Sequence, residues 1–172
     1  LSRVFASSKG GLASGSGSST NGWTHSSQGA INYSPQNGML KLAQVTPGAC
    51  LINIGINDAV NGTSDAAFRT ALGTMIERCG TNGTALTDAI VCTMNPLDTA
   101  SVAQATQDAF NVAIKEVAAL NNLPVFDVNL LLGRDFITAN AAGWMHDALH
   151  PNEAGYAKIA TEQYNLFDFI VG

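Results

Sequence analysis

Hydrophobic positions recur along this chain in two alternating rhythms, and the alternation predicts its architecture. Cys50-Leu-Ile-Asn-Ile-Gly is a short continuous apolar run, suited to a strand buried on both faces. Behind it Thr63 or Ser64 can cap a helix, and Phe68, Ala71, Leu72, Met75 and Ile76 then return at helical spacing as far as about Cys79, with Gly80 just past the end. Residues 89–93 read as a second buried strand that Pro96 closes. Over 99–120 the positions Val102, Ala105, Ala109, Ala113, Val117 and Leu120 predict a long helix. Pro124-Val-Phe-Asp-Val predicts a third internal strand, and 153–170, with Tyr156, Ile159, Tyr164, Phe167 and Phe169, a last helix. Nearer the N-terminus, 23–29 reads as a short strand and 36–44 as a helix ending before Pro47. Strand and helix repeat in turn, which implies an α/β fold: a parallel sheet with helices on both faces.

With 172 residues, 46% of them hydrophobic, the chain can bury one substantial core, so a single domain over 1–172 is expected. Charged residues are only 12% and the net charge is −5. Scattered Lys and Arg leave no basic stripe to neutralise a phosphate backbone, which argues against nucleic-acid binding. No apolar run reaches the roughly 20 residues that span a bilayer, and no basic-then-apolar leader opens the sequence, so no membrane association is expected. Residues 7–21 are dominated by Ser and Gly and read as a long surface loop. Cys50, Cys79 and Cys92 match no zinc spacing; they read as buried free thiols, with a Cys79–Cys92 disulfide as the alternative. Asn61-Gly-Thr63 and Asn82-Gly-Thr84 fit the glycosylation acceptor pattern and point to an extracellular or secreted setting.

In parallel sheets ligands bind beyond the C-terminal ends of the strands, which directs attention to the segments that follow each one: Gln28–Ala30, Gly55–Val60, Asn95–Leu97 and the loop from Gly133 to Pro151. Gly55-Ile-Asn-Asp58 comes directly after the first apolar run. Its glycine permits a close backbone approach, and Asn57 offers a neutral amide donor of the kind that stabilises a developing oxyanion; an ordinary turn is the plain alternative. Asp147-Ala-Leu-His150-Pro151 precedes the last helix. Pro151 disfavours helical geometry at His150, so the segment turns, and the aspartate can reach back to Nδ1 and leave Nε2 free as a base. A solvated Asp beside a loop His is the simpler reading of that string alone. His146 and His150 stand four apart, as in a helical zinc motif, but the residue after His146 is Asp and Pro follows His150 at once, so neither metal nor cofactor is expected.

Taken together, Gly55-x-Asn57-Asp58 after a strand and Asp147-x-x-His150-Pro before the final helix resemble two sequence blocks of the SGNH hydrolases, also called GDSL esterases and lipases. The resemblance implies a three-layer α/β/α fold with a flavodoxin-like parallel sheet. It also implies an ester hydrolase working through a Ser-His-Asp triad and an acyl-enzyme. Asp147 and His150 would be the acid–base pair, and Gly29 and Asn57 would line the oxyanion hole, with Gly38 the rival to Gly29. The Gly-Asp-Ser block that carries the family's nucleophile does not occur here, whereas Leu1-Ser2 matches how that block continues. The catalytic serine is therefore expected immediately before Leu1, on an upstream peptide that also supplies the first strand, with Ser2 as the fallback. The polar Ser/Gly/Asn loops favour a short acyl group on a polar carrier, such as an O-acetylated carbohydrate, on which Trp23 or Trp144 can stack. The alternative function is an inactive SGNH-like domain that binds glycan within a larger surface or fibre protein.

Overall fold

A computed structural model of the protein describes residues 49–81 and 88–171. Among these residues the sheet runs in the order β1 (Ala49–Asn53), β2 (Asp88–Cys92), β3 (Val125–Phe126), all parallel, with Asn53 opposite Cys92 and Cys92 opposite Phe126. Parallel neighbours need a crossover from one edge back to the other. Helix α2 (Asp65–Thr81) supplies one after the short α1 (Ile56–Val60), and α3 (Gln104–Leu120) supplies the next. Beyond β3 come α4 (Val128–Leu131), α5 (Phe136–Ala141) and the long α6 (Glu153–Val171).

Side chains alternate across β2, and the alternation builds two cores. Ala89 and Val91, with Ile52 of β1, meet Phe68, Leu72, Met75 and Ile76 of α2 and Phe110, Ala113, Ile114 and Val117 of α3. The Phe68 and Phe110 rings lock these helices together with centroids 4.7 Å apart. Cys92 faces the other way and packs with Val128, Leu132, Ala139, Met145 and, from α6, Ile159. Helices therefore cover both faces, giving the three-layer α/β/α arrangement that the periodicity implied. Ser64 is the cap of α2, its Oγ accepting from the Ala67 N–H at 3.3 Å. Thr63 is not, because its Oγ1 is buried without a hydrogen-bond partner.

Three expectations need correcting. Helix α3 begins at Gln104 and not near 99, because Asp98 closes a turn: its carboxylate accepts from Ala100 N–H and its carbonyl from Ser101 and Val102. On α3 itself Ala105 and Ala109 are exposed and Leu120 is 82% exposed, whereas Gln107 and Asn111 are buried. The helix is rotated so that Phe110 and Ile114 face the sheet, since larger side chains gain more from burial than alanines. Strand β3 stops at Phe126 because Asp127 turns to cap α4, accepting from the Leu130 N–H at 3.0 Å and the Thr93 hydroxyl at 2.9 Å. Burial alone would raise the Asp127 pKa, but the Lys115 ammonium at 2.6 Å and these hydrogen bonds hold it below the usual carboxylate value.

Cys92 is a free thiol, so the alternative Cys79–Cys92 disulfide is not formed, and burial pushes its pKa up to about 12. On the last helix Ile159 is buried as expected, but Tyr156 and Tyr164 are exposed. The strand expected over 23–29, the helix over 36–44, and Gly29, Gly38, Ser2, Trp23, His25 and Asn82 lie outside the described residues. Among the described residues no helix is long and apolar enough to cross a membrane.

Candidate active site

The Asp147–His150 segment lies in the loop between α5 and α6, and the loop is closed at its base before it presents any side chain. Met145 bridges antiparallel to Pro151. Asn152 grips the loop from below: its amide donates to the carbonyls of Gly143 (2.7 Å) and Met145 (3.3 Å), and its Oδ1 accepts from the Gly155 N–H at the start of α6. A side chain at Gly155 would run into the Trp144 carbonyl, so the helix approaches the loop closely only because glycine stands there.

Within this frame the Asp147 carboxylate organises the turn. Oδ1 accepts from the backbone N–H groups of Leu149 (2.8 Å) and His150 (2.7 Å), while Nδ1 of His150 lies 3.0 Å from both carboxylate oxygens. These contacts, the Leu149 N–H first and the imidazole next, lower the Asp147 pKa to about 2. An ionised carboxylate can only accept, so Nδ1 is the donor in this pair, and in the neutral imidazole Nε2 is then the nitrogen with the lone pair. The side chains of His150 and Asp147 are 58% and 48% exposed, leaving the imidazole open to an incoming molecule. Such a pair can take up and return a proton at Nε2 while the aspartate holds the ring in one tautomer.

The loop is tied to the sheet by the segment after β2. Asn95, buried to 7% exposure, donates from Nδ2 to the Leu149 carbonyl at 2.9 Å, and the Asp98 N–H donates to the Ala148 carbonyl at 2.9 Å. That segment is held in turn by the two buried polar residues of α3. Gln107 accepts from the Leu97 N–H and donates to the carbonyls of Leu97 and Val102, and Asn111 accepts from the Met94 N–H.

Met94 connects the same segment to the turn after β1. Gly55 has φ 119°, a conformation that favours glycine, and an added Cβ would stand 3.1 Å from Met94 Cγ and Sδ. Asn57 follows, partly buried at the start of α1, and Asp58 beside it is fully buried. The structure thus brings Asp147 and His150 into direct contact. Asn57 stands at the start of α1, two residues after Gly55, the glycine that packs against Met94.

Other candidates resolve differently. His146 is exposed, and its backbone N–H donates to the His150 carbonyl at 2.8 Å. Among the described residues no group of three or more His, Cys, Asp or Glu is arranged to hold a metal ion. Trp144 is partly buried against the second core, with the Lys158 ammonium 4.9 Å from its ring centroid. The sequence pointed to the segment Asn95–Leu97 without giving Asn95 a role, and Gln107, Asn111 and Asn152 were missed. Only Asn152 carried a readable signal, as an Asn directly before a predicted helix.

A family model for the GDSL-like lipase/acylhydrolase family matches residues 9–158. The chain belongs to this family. Its GDSL fold is matched by solved structures of esterases. A lipase/acylhydrolase from Enterococcus faecalis shares 26% identity over 74% of this chain and 68% of its own, with a TM-score of 0.57. Est24, a carbohydrate acetylesterase from Sinorhizobium meliloti, aligns over 93% of this chain and 75% of its own at 13% identity and a TM-score of 0.66. The psychrotrophic esterase EstA from a Pseudoalteromonas species, in a structure inhibited by monoethylphosphonate, covers 85% of this chain and 73% of its own at 17% identity and a TM-score of 0.61. The last two likenesses show the SGNH-type fold alone. No curated protein sequence matches the chain.

Proposed function

We propose that this GDSL-family chain is a carboxylic ester hydrolase in which His150 is the general base and acid and Asp147 its partner. The observation that carries the reading is the Asp147–His150 pair itself: Nδ1 lies 3.0 Å from both carboxylate oxygens, and the imidazole is exposed, with Nε2 unbonded among the described residues. The nucleophile of this reading is the serine that the family's first block would place immediately before Leu1. Its Oγ attacks the ester carbonyl as Nε2 takes the proton. The tetrahedral oxyanion is stabilised by the serine N–H, the Gly29 N–H and the Asn57 amide, and it collapses to an acyl-enzyme as His150 gives the proton to the leaving alcohol. Water then repeats the sequence and releases the acid.

The substrate class in this proposal is a short acyl ester on a polar carrier, in particular O-acetylated carbohydrate. Its support is the Ser-, Gly- and Asn-rich sequence, together with a carbohydrate acetylesterase and an acetylxylan esterase from Geobacillus stearothermophilus among the proteins of this fold. The test is acetate release by the full-length protein from acetylated xylan and from aryl esters of increasing chain length. Release from the polysaccharide, with aryl acetate turned over faster than aryl decanoate, is the expected result. Preference for the long chain overturns the substrate class, and no ester turnover at all overturns the reaction.

A further inference from the structure

We propose that Asn95 is a positioning residue that fixes the Asp147–His150 loop, and with it the His150 imidazole, relative to the sheet. The inference rests on the reading of His150 as the base.

One peptide group, Leu149–His150, is held from both sides. Its N–H is held by Asp147 Oδ1 at 2.7 Å and its carbonyl by Asn95 Nδ2 at 2.9 Å. The first bond is internal to the loop and travels with it. The second comes from a residue just beyond the buried strand β2, together with the bond from the Asp98 N–H to the Ala148 carbonyl. These two bonds set where the loop stands against the sheet, whereas the Asp147 bonds set its internal shape.

Asn95 suits this task because it cannot easily move. It is 7% exposed within a stretch, 89–97, that is buried throughout. Its amide donates also to the Pro96 carbonyl at 3.0 Å, and the backbone on either side is fastened by Asn111 at Met94 and Gln107 at Leu97. A buried amide donor without partners is costly, so rotamers of Asn95 that break the Leu149 bond are disfavoured. Met94, its chain neighbour, lies directly under Gly55, two residues ahead of Asn57. One buried segment therefore gives both halves of the site a common reference. Removing the Asn95 amide leaves the Asp147–His150 pair intact but lets it drift as a unit.

Asn95→Ala and Asn95→Ser in the full-length protein, alongside His150→Ala, test this on an aryl acetate well below the melting temperature. The expected result for Asn95→Ala is a kcat lowered about 10- to 100-fold with KM changed less than about threefold, as for misplacement of a reacting group. The low-field NMR signal of the His150 Nδ1 proton should be retained. Asn95→Ser, whose hydroxyl leaves room for a bridging water, should fall between Asn95→Ala and the unmodified protein, and it decides the matter if Asn95→Ala does not fold. A kcat within about twofold of the unmodified protein for the folded variants, with His150→Ala inactive, overturns the positioning role alone. Loss of the Nδ1 signal together with kcat overturns it as well, because the pair itself would then depend on Asn95. Turnover retained by His150→Ala overturns the catalytic reading, and the positioning role with it.

Discussion

The loop before α6 and the segment after β2 meet at Leu149, and they are built in opposite ways. The loop is exposed, and its shape comes from local bonds: Asp147 to the next residues, His146 to His150, Asn152 to the loop base. The segment is buried, and its shape comes from distant residues on α3 that satisfy its backbone. A group that exchanges protons with a substrate must be reachable, and the proposed base, His150, stands on the exposed partner. Precision in its placement has to come from the buried one. The two can be separated by substitution, and the effects should rank accordingly.

The largest change is expected within the exposed loop. Asp147→Asn keeps the shape of the acceptor but favours the wrong imidazole tautomer, and kcat should fall about 10³- to 10⁴-fold. A fall below tenfold, on the order of a lost surface contact, would mean that the pair is not catalytic. Asn57→Ala follows, with an expected loss of about 10² to 10³ in kcat and a smaller change in KM, as for removal of one oxyanion donor. Steady-state kinetics on an aryl acetate check both.

The buried segment should respond in stability. Gln107→Ala orphans the Leu97 N–H and the carbonyls of Leu97 and Val102. Their desolvation should cost about 3 kcal/mol, read from the urea midpoint. An unchanged midpoint would show that this segment holds itself. The smallest effect is that of pH on Asp147. Its pKa is depressed from 3.8 to about 2, so any stability it adds is present above 3.8 and is lost as pH falls toward about 2. An acid limb in kcat/KM above about pH 4 must therefore belong to another group and should persist in Asp147→Asn.

The same contrast explains what the sequence revealed. The loop pair was legible because its determinants are local: Pro151 excludes a helix at His150, and an aspartate three residues earlier can reach Nδ1. The α2 stripe from Phe68 to Ile76 was legible because large apolar side chains at helical spacing leave little choice of face. Helix α3 was misread in detail because its alanines carry almost no orientational information, while the buried polar residues Gln107 and Asn111 look like a solvent face until the backbone groups they satisfy are seen. The role of Asn95, within a segment the sequence did point to, was hidden for a related reason. Its partner, the Leu149 carbonyl, is 54 residues away in sequence. The length of β3 was overestimated because Asp127 acts as a cap, which the apolar run around it conceals.

The central claim is that Asp147 and His150 activate a serine nucleophile, and labelling with a phosphonate ester tests it most directly. The protein should take up one phosphonyl group on a single serine, mapped by peptide mass spectrometry, and His150→Ala should slow labelling by about 10³-fold or more. Labelling at the same rate without His150, or none on any serine of an active protein, would contradict it.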